Sequence, residues 1–256
     1  MKENLMDVTF LILIRLDSLE RLENILYVTN TLTRYFNTNV KLLEAADHNN
    51  RILKSLISSK IDYRFIEDKD PVLHKTKHFN QMINETETPF ISIWDADTVV
   101  DKRAVLDAVN RLRSGDADMA FPYDGFIYNT SEIIKNRFLE KRNIQFLRRN
   151  KGKMELLYDQ LLVGAAVLMN KSSFIYAGME NELHYGWGND DFDRYHRFVN
   201  LGLKIYRVNT ALFHLSHPRG VNSAFRSTIS TNISKSVLYN VENSSCEELR
   251  AKFVHK

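Results

Sequence analysis

Two runs, Val8–Ile14 and Phe90–Trp94, are apolar at consecutive rather than alternate positions. Strands of that kind must be covered on both faces, which restricts the chain to a sheet held between layers of helix. Val40 to Glu44 and Tyr63 to Ile66 read as further strands, and helical signals separate them. Leu19, Leu22, Leu26, Thr29, Leu32 and Phe36 recur at helical intervals after the first strand, and a short helix fits near Arg51 to Ser58. This alternation predicts an α/β fold with a mostly parallel central sheet and helices on both faces. At 256 residues the chain suits one domain with an elaborated second half.

Asp95 and Asp97 follow Phe90–Trp94 where that strand ends. Ligands of open α/β sheets gather outside the carboxyl ends of strands, so an Asp-x-Asp there is placed to hold a divalent cation against phosphate oxygens. The competing reading is turn chemistry. Asp101 fits a helix N-cap, with Val105, Ala108, Val109 and Leu112 facing inward and Gly115 marking the end. At the end of the first strand Arg15 requires an anion or a carboxylate partner. Asp17 and Glu20 have capping-box spacing, so Asp17 has a structural role open to it beside a ligand role. Lys75, Lys77 and Asn80 lie on a helix ending near Asn84 and face either a phosphate or solvent. No Gly-rich phosphate loop occurs, so side chains and metal would have to hold any nucleotide.

Downstream, Asp118 to Asp124 and Lys204 to Val208 read as strands, and Leu161 to Met169 as a strand interrupted by Gly164-Ala-Ala. Ser131 to Tyr158 is helical by composition, and 135–153 within it is basic and amphipathic, a pattern shared by solvated helix faces and surfaces that meet anionic lipid or glycan. Trp187 stands between Gly186 and Gly188, which leaves the indole as a flat platform suited to a sugar ring. Asp190 and Asp191 fall in the first turn of the helix that follows, where the helix dipole favours carboxylates. His214 and His217 are close enough for one cation if the segment turns. Ser245 and Glu248 have capping-box spacing before a last short helix. The net charge of +3 gives no support to nucleic-acid binding, and the single Cys246 fits a reducing compartment. No run reaches the roughly 20 apolar residues of a spanning helix, and a cytoplasmic protein is expected.

Four stretches together resemble the nucleotide-sugar glycosyltransferases of the GT-A fold, in particular the β-1,4-galactosyltransferases and the bacterial chondroitin-polymerase-like enzymes. They are Arg15-Leu-Asp17, Lys75-Thr-Lys-His-Phe-Asn80, Trp94-Asp-Ala-Asp97 and Gly186-Trp-Gly-Asn-Asp-Asp191, the last similar to that family's Gly-Trp-Gly-Gly-Glu-Asp. The resemblance implies a single Rossmann-like GT-A domain, with a nucleotide-binding half to about residue 100, an acceptor-binding half over about 101–220 and a packing segment over 221–256. It implies a Mn²⁺ or Mg²⁺ site at Asp97, His217 and His214, with Asp95 directed to the metal or the ribose. The nucleotide would meet Arg15, Asp17, Lys75, Lys77 and Asn80. Asp191 would be the catalytic base, and Trp187, Gly188 and Asp190 would hold the acceptor. Asn189 stands where a Gly is common, and Asp190 where the family has Glu; both departures bear on the acceptor.

The expected reaction is an inverting transfer of a sugar, with galactose or N-acetylgalactosamine favoured, from a UDP-sugar to a saccharide or lipid-linked oligosaccharide in surface polysaccharide or glycolipid synthesis. The lack of the galactosyltransferases' disulfides and membrane anchor points to a cytoplasmic enzyme, working at the inner face of a membrane if the basic segment 135–153 makes a peripheral contact. The rivals are a retaining transferase or nucleotidyltransferase of the same fold, and a catalytically silent glycan- or lipid-binding module.

Overall fold

The computed structural model describes residues 2–220 and 227–253. Strand β1 (Glu3–Ile14) is followed by α1 (Leu19–Tyr35), β2 (Phe36–Ala46), α2 (Ile52–Leu56) and β3 (Asp62–Glu67). Helix α3 (Lys75–Asn84) leads to β4 (Phe90–Trp94), the two-residue β5 (Thr98–Val99) and α4 (Lys102–Arg113). The second half contains β6 (Met119–Phe121), β7 (Ile127–Asn129), α5 (Glu132–Lys141), α6 (Ile144–Asn150), β8 (Glu155–Leu156) and β9 (Ala166–Asn170). It continues through α7 (Lys171–Tyr176), α8 (Asp190–Asn200), β10 (Ile205–Arg207), β11 (Leu212–His214), α9 (Thr228–Glu242) and α10 (Cys246–Phe253).

The main sheet has the order β10-β6-β9-β4-β1-β2-β3. All its pairings are parallel except those of β9, which runs against both β4 and β6. Val8, Phe10, Leu11 and Ile12 are all fully buried, which is the two-sided cover that consecutive apolar residues require. Within β4 the polar Ser92 is tolerated because its hydroxyl donates to the Val167 carbonyl at 3.0 Å.

A second, smaller sheet, β5-β11-β7-β8, is absent from the sequence reading. Ser131 to Tyr158 is accordingly not one helical stretch. Helix α5 stops at Arg142, whose φ of 49° is left-handed. Helix α6 restarts from Asn143, whose side chain accepts from the Gln145 N–H at 2.9 Å, and β8 follows. The strand expected from Leu161 begins only at Ala166, because Ala165 has a φ of 62° and cannot extend the ladder. Helix α1 is capped by Ser18 and not by Asp17; Asp17 instead pairs with Arg21 Nε at 3.0 Å. At the other end, the Ser245–Glu248 capping box opens α10 as expected, with both reciprocal bonds formed. Of the 221–256 packing segment, 221–226 and 254–256 lie outside the described residues.

Helix α8 joins the core through charge. Arg194 and Arg197 are among the largest fully buried side chains. Arg197 donates through Nε to Asp193 Oδ1 at 2.6 Å and also to the Ala177 carbonyl. His184 Nε2 lies 3.0 Å from the other Asp193 oxygen. Burial alone would raise the Asp193 pKa, but Arg197 and His184 outweigh it and hold the carboxyl at about 2. Breaking such a pair leaves a buried charge uncompensated, at a cost of about 3–5 kcal/mol. Asp193→Ala is expected to lose stability on that scale in urea unfolding, and an unchanged midpoint would contradict the assignment.

Candidate active site

The chain crosses from the main sheet to the small one at Asp95–Asp97, and this crossing builds the site. Asp95 stays tied to the main sheet, its N–H donating to the Ala165 carbonyl at 2.8 Å. The next residues form β5, which pairs antiparallel with β11 so that His214 faces Thr98. The Leu215 N–H donates to the Asp97 carbonyl at 2.8 Å. One short ladder therefore delivers both histidines to the Asp97 side chain, with His217 Nε2 3.1 Å and His214 Nε2 3.6 Å from Asp97 Oδ2.

The far sides of both imidazoles are fixed. His214 Nδ1 donates to Asn129 Oδ1 and His217 Nδ1 to the Pro218 carbonyl, each at 2.8 Å. With Nδ1 so engaged, each ring turns its Nε2 toward a carboxylate oxygen of Asp97. That arrangement is stable only with a proton or a cation between them. Ligand atoms of Asp97, His214 and His217 all lie within 4.8 Å of one another, and the set of one carboxylate and two imidazoles, each held from behind, fits a divalent transition metal. Burial alone would raise the Asp97 pKa, but the two histidines hold the carboxyl far below the usual carboxylate range.

Asp97 opens into a cavity of about 340 Å³, near the lower end of small-molecule sites at roughly 300–1,000 Å³. Of the residues expected from sequence, it brings together Arg15, Lys75, Asp95, Asp97, Trp187, Gly188, Asp190, Asp191, His214 and His217. Lys75 Nζ lies 2.9 Å from Asp190 and 3.6 Å from Asp191, so this cation serves the acidic cluster as a counter-ion. Burial would depress the Lys75 pKa, but Asp190, Asp191 and Asp95 raise it well above the ordinary value. Asp95 is pushed up to about 7, first by burial, with Lys75 opposing and Asp97, Asp191 and Asp190 adding to the rise.

Asp191 is aimed by its neighbours. Arg194 binds its Oδ1 from below while itself held by Glu180. Burial would raise the Asp191 pKa, but Lys75 and Arg194 outweigh it and keep the group ionised. Gly164 lies against the carboxylate so closely that a Cβ there would come within 2.3 Å of Asp191 Oδ2. The stretch before α8 is held from the far end of the chain by Ser234 of α9, only 2% exposed. Its Oγ lies 2.8 Å from His184 Nδ1, 3.1 Å from Asn189 Nδ2 and 3.2 Å from the Gly188 carbonyl. Asn189 has a φ of 67°, a conformation that Asn tolerates better than most residues, which explains an Asn where Gly is common.

Three of the expected residues do not line the cavity. Asn80 spends its side-chain amide on the backbone of Glu180 and on Glu182, and its helical position turns it away from the cavity. Lys77 is exposed two residues beyond Lys75, on another face of α3. Asp17 reaches the cavity only through Arg21, which lines it. Arg15 is on the wall, but its guanidinium already binds Asp68 at 2.7 Å and the Ala45 and Asp70 carbonyls, the carboxylate partner that its position required. Sequence reading missed Asn129, Gly164's contact, Arg194 and Ser234. Only the small Gly164-Ala-Ala hinted at a close approach.

The described residues have the α/β architecture of GT-A enzymes, and comparison gives that architecture its relatives. Residues 146–219, from α6 through His217, match the family model described as the N-terminal domain of galactosyltransferase. The structure resembles the catalytic domain of Drosophila β-1,4-galactosyltransferase 7, solved with xylobiose, at a TM-score of 0.56 and 13% identity over 91% of this chain and 79% of that one. No curated protein matches the chain by sequence. The fold is thus that of GT-A glycosyltransferases, and the findings support a glycosyltransferase resembling the β-1,4-galactosyltransferases.

Because Asn129 fixes the His214 ring, Asn129→Ala is expected to weaken Mn²⁺ binding about 10- to 100-fold. Calorimetry on a variant that keeps its melting temperature is the check, and an affinity equal to wild type would show that the histidine needs no orientation.

Proposed function

We propose that the protein is a divalent-metal-dependent, inverting glycosyltransferase that moves a sugar from a UDP-sugar to a saccharide acceptor. The observation that carries this reading is the meeting, in one cavity, of the Asp97–His214–His217 cluster and an ionised Asp191 held by Lys75 and Arg194. Asp97 and the two histidines would hold Mn²⁺ in preference to Mg²⁺, given the two nitrogen donors. When bound, the ion supplies charge neutralisation for a departing diphosphate. UDP as the nucleotide, and galactose or N-acetylgalactosamine as the sugar, rest on the resemblance alone.

On this reading Asp191 accepts the proton of the acceptor hydroxyl as that oxygen attacks the anomeric carbon from the face opposite the leaving group. Arg194 and Lys75 fix the carboxylate's direction and keep it deprotonated at neutral pH. Lys75 also offers its ammonium to developing negative charge. Trp187, 37% exposed at the cavity wall, lies 6.5 Å between centroids from Tyr158 at 35°. That pair would form an apolar shelf for an acceptor sugar, with Asp190 and the Gly188 backbone beside it. Oriented approach in a partly enclosed site is itself worth several orders of magnitude. We further propose a cytoplasmic protein acting on polysaccharide or lipid-linked acceptors at the inner face of a membrane. The exposed Arg137, Lys141, Arg149 and Lys153 of the α5–α6 region support it.

UDP, GDP, CMP and dTDP titrated calorimetrically with Mn²⁺ and again with EDTA test the donor class. UDP alone is expected to bind, to need the metal, and to lose affinity in Asp97→Ala; no nucleotide binding under any condition would sink the reading. Asp191→Asn is expected to lower turnover by about 10²- to 10⁴-fold while leaving UDP affinity near wild type. Gly164→Ala, which displaces the same carboxylate without removing it, is expected to lower turnover in the same direction. Equal loss of UDP binding in both variants would make Asp191 a structural residue.

A further inference from the structure

A second concavity lies away from the catalytic cavity, between α1 and α5. It encloses about 280 Å³, and Tyr27, Asn30, Thr31, Arg34, Tyr35 and Arg142 form most of its wall. Its make-up differs from an accidental surface groove in three ways. First, Arg34 and Arg142 both line it and neither forms an ion pair among the described residues, Arg142 making one hydrogen bond, from Nε to the Leu139 carbonyl at 3.4 Å. The one carboxylate on the wall, Glu23, is engaged by the buried Lys135 at 3.4 Å. Second, the Tyr27 ring is fixed edge-on against the buried Phe138, with centroids 4.8 Å apart, and presents a rigid aromatic surface. Third, Tyr27, Thr31 and Tyr35 continue from the groove into a recess of about 20 Å³ at the base of the small sheet. Trp94 and Thr98 line that recess, each 3% exposed, and the Trp94 Nε1 donor and the Thr98 hydroxyl have no hydrogen-bond partner among the described residues. Orphaned buried polar groups of that kind are rare, and a recess of this size admits one water or one ligand hydroxyl.

We propose that this groove is a second binding site, for a small anionic saccharide. The two guanidinium groups would take its carboxylate or phosphate, since planar forks suit both anions. Asn30 and Thr31 would meet ring hydroxyls, and Tyr27 and Tyr35 the apolar ring face. Lys102, 5.5 Å from the centroid of Tyr35, adds positive potential at the inner end. Trp94 and Thr98 bracket Asp95 and Asp97 in sequence, so the recess that adjoins the groove lies beside the turn carrying Asp95 and Asp97. This inference stands on the groove alone and does not depend on the reaction proposed for the other cavity.

The chain has two tryptophans, Trp187 at the catalytic cavity and Trp94 at the recess adjoining the groove, so two indole N–H resonances report the two regions separately. Trp187→Phe assigns them. Sodium glucuronate, added without nucleotide or metal, is expected to shift the Trp94 indole and leave that of Trp187 in place, whereas glucose at equal concentration shifts neither. Arg34→Gln and Arg142→Asn, both at exposed positions and the second suited to the left-handed backbone there, are each expected to weaken the response about tenfold or more, the scale of one charge-assisted hydrogen bond. No Trp94 shift, a shift of Trp187 instead, or a response unchanged in both arginine variants would overturn the proposal. An equal shift with inorganic phosphate would reduce the groove to a plain anion site and overturn its saccharide assignment.

Discussion

Four carboxylates, Asp95, Asp97, Asp190 and Asp191, crowd one largely buried cavity, and their mutual repulsion is the condition that the surrounding structure answers. Two permanent cations meet them inside the fold: Lys75 between Asp190 and Asp191, and Arg194 beneath Asp191. Asp97 relies on the two histidines. Burial, and then the acidic neighbours against Lys75, raise Asp95 to about 7. A divalent cation would offset the same repulsion without protonation. On the proposed reading, the acidic cavity and the affinity for a cation are one electrostatic fact seen from two sides.

The supports of this cluster come from opposite ends of the chain. Helix α3 contributes Lys75 from the first half, α8 contributes Arg194, and α9 contributes Ser234 beneath Gly188 and Asn189. Local backbone strain sits among them. Ala165 and Asn189 both hold left-handed backbone at the cavity wall, and such a conformation costs a non-glycine residue roughly 1–2 kcal/mol. At Ala165 the return is visible: its carbonyl accepts the Asp95 N–H and so fixes the start of the acidic turn.

How much of this was legible in the sequence follows the range of the forces involved. Strands β1 and β4 announce themselves because two-sided burial leaves consecutive apolar residues, and α4 because its inward positions keep helical spacing. Asp95, Asp97, Asp191 and the two histidines stand out as chemistry attached to those elements. The small sheet was illegible, since strands of two or three residues carry no periodic signal, and with it went the reason His214 meets Asp97. The resemblance gives Asn80 and Lys77 to the nucleotide, with a solvated face as the other reading of Lys77. On α3, however, Lys75 and Phe79 point one way at i and i+4, and Lys77 cannot join them. Glu180, Asn129 and Ser234 act through contacts across 14 to 85 residues, for which a single sequence offers no cue, whereas Arg194 meets Asp191 at i,i+3 on one helix, a spacing that helical periodicity does carry.

The Ser234 contact has a bearing on how such a chain can be rearranged. Every recognisable motif ends by His217, so a shortened version or a chimera joined a few residues after His217 would preserve the whole catalytic vocabulary. It would nonetheless lose the hydroxyl from α9 that bonds the Gly188 carbonyl, Asn189 and His184, and with it one support of the glycine-flanked Trp187 loop. In modular terms the catalytic unit extends past its own signature, to at least the middle of α9.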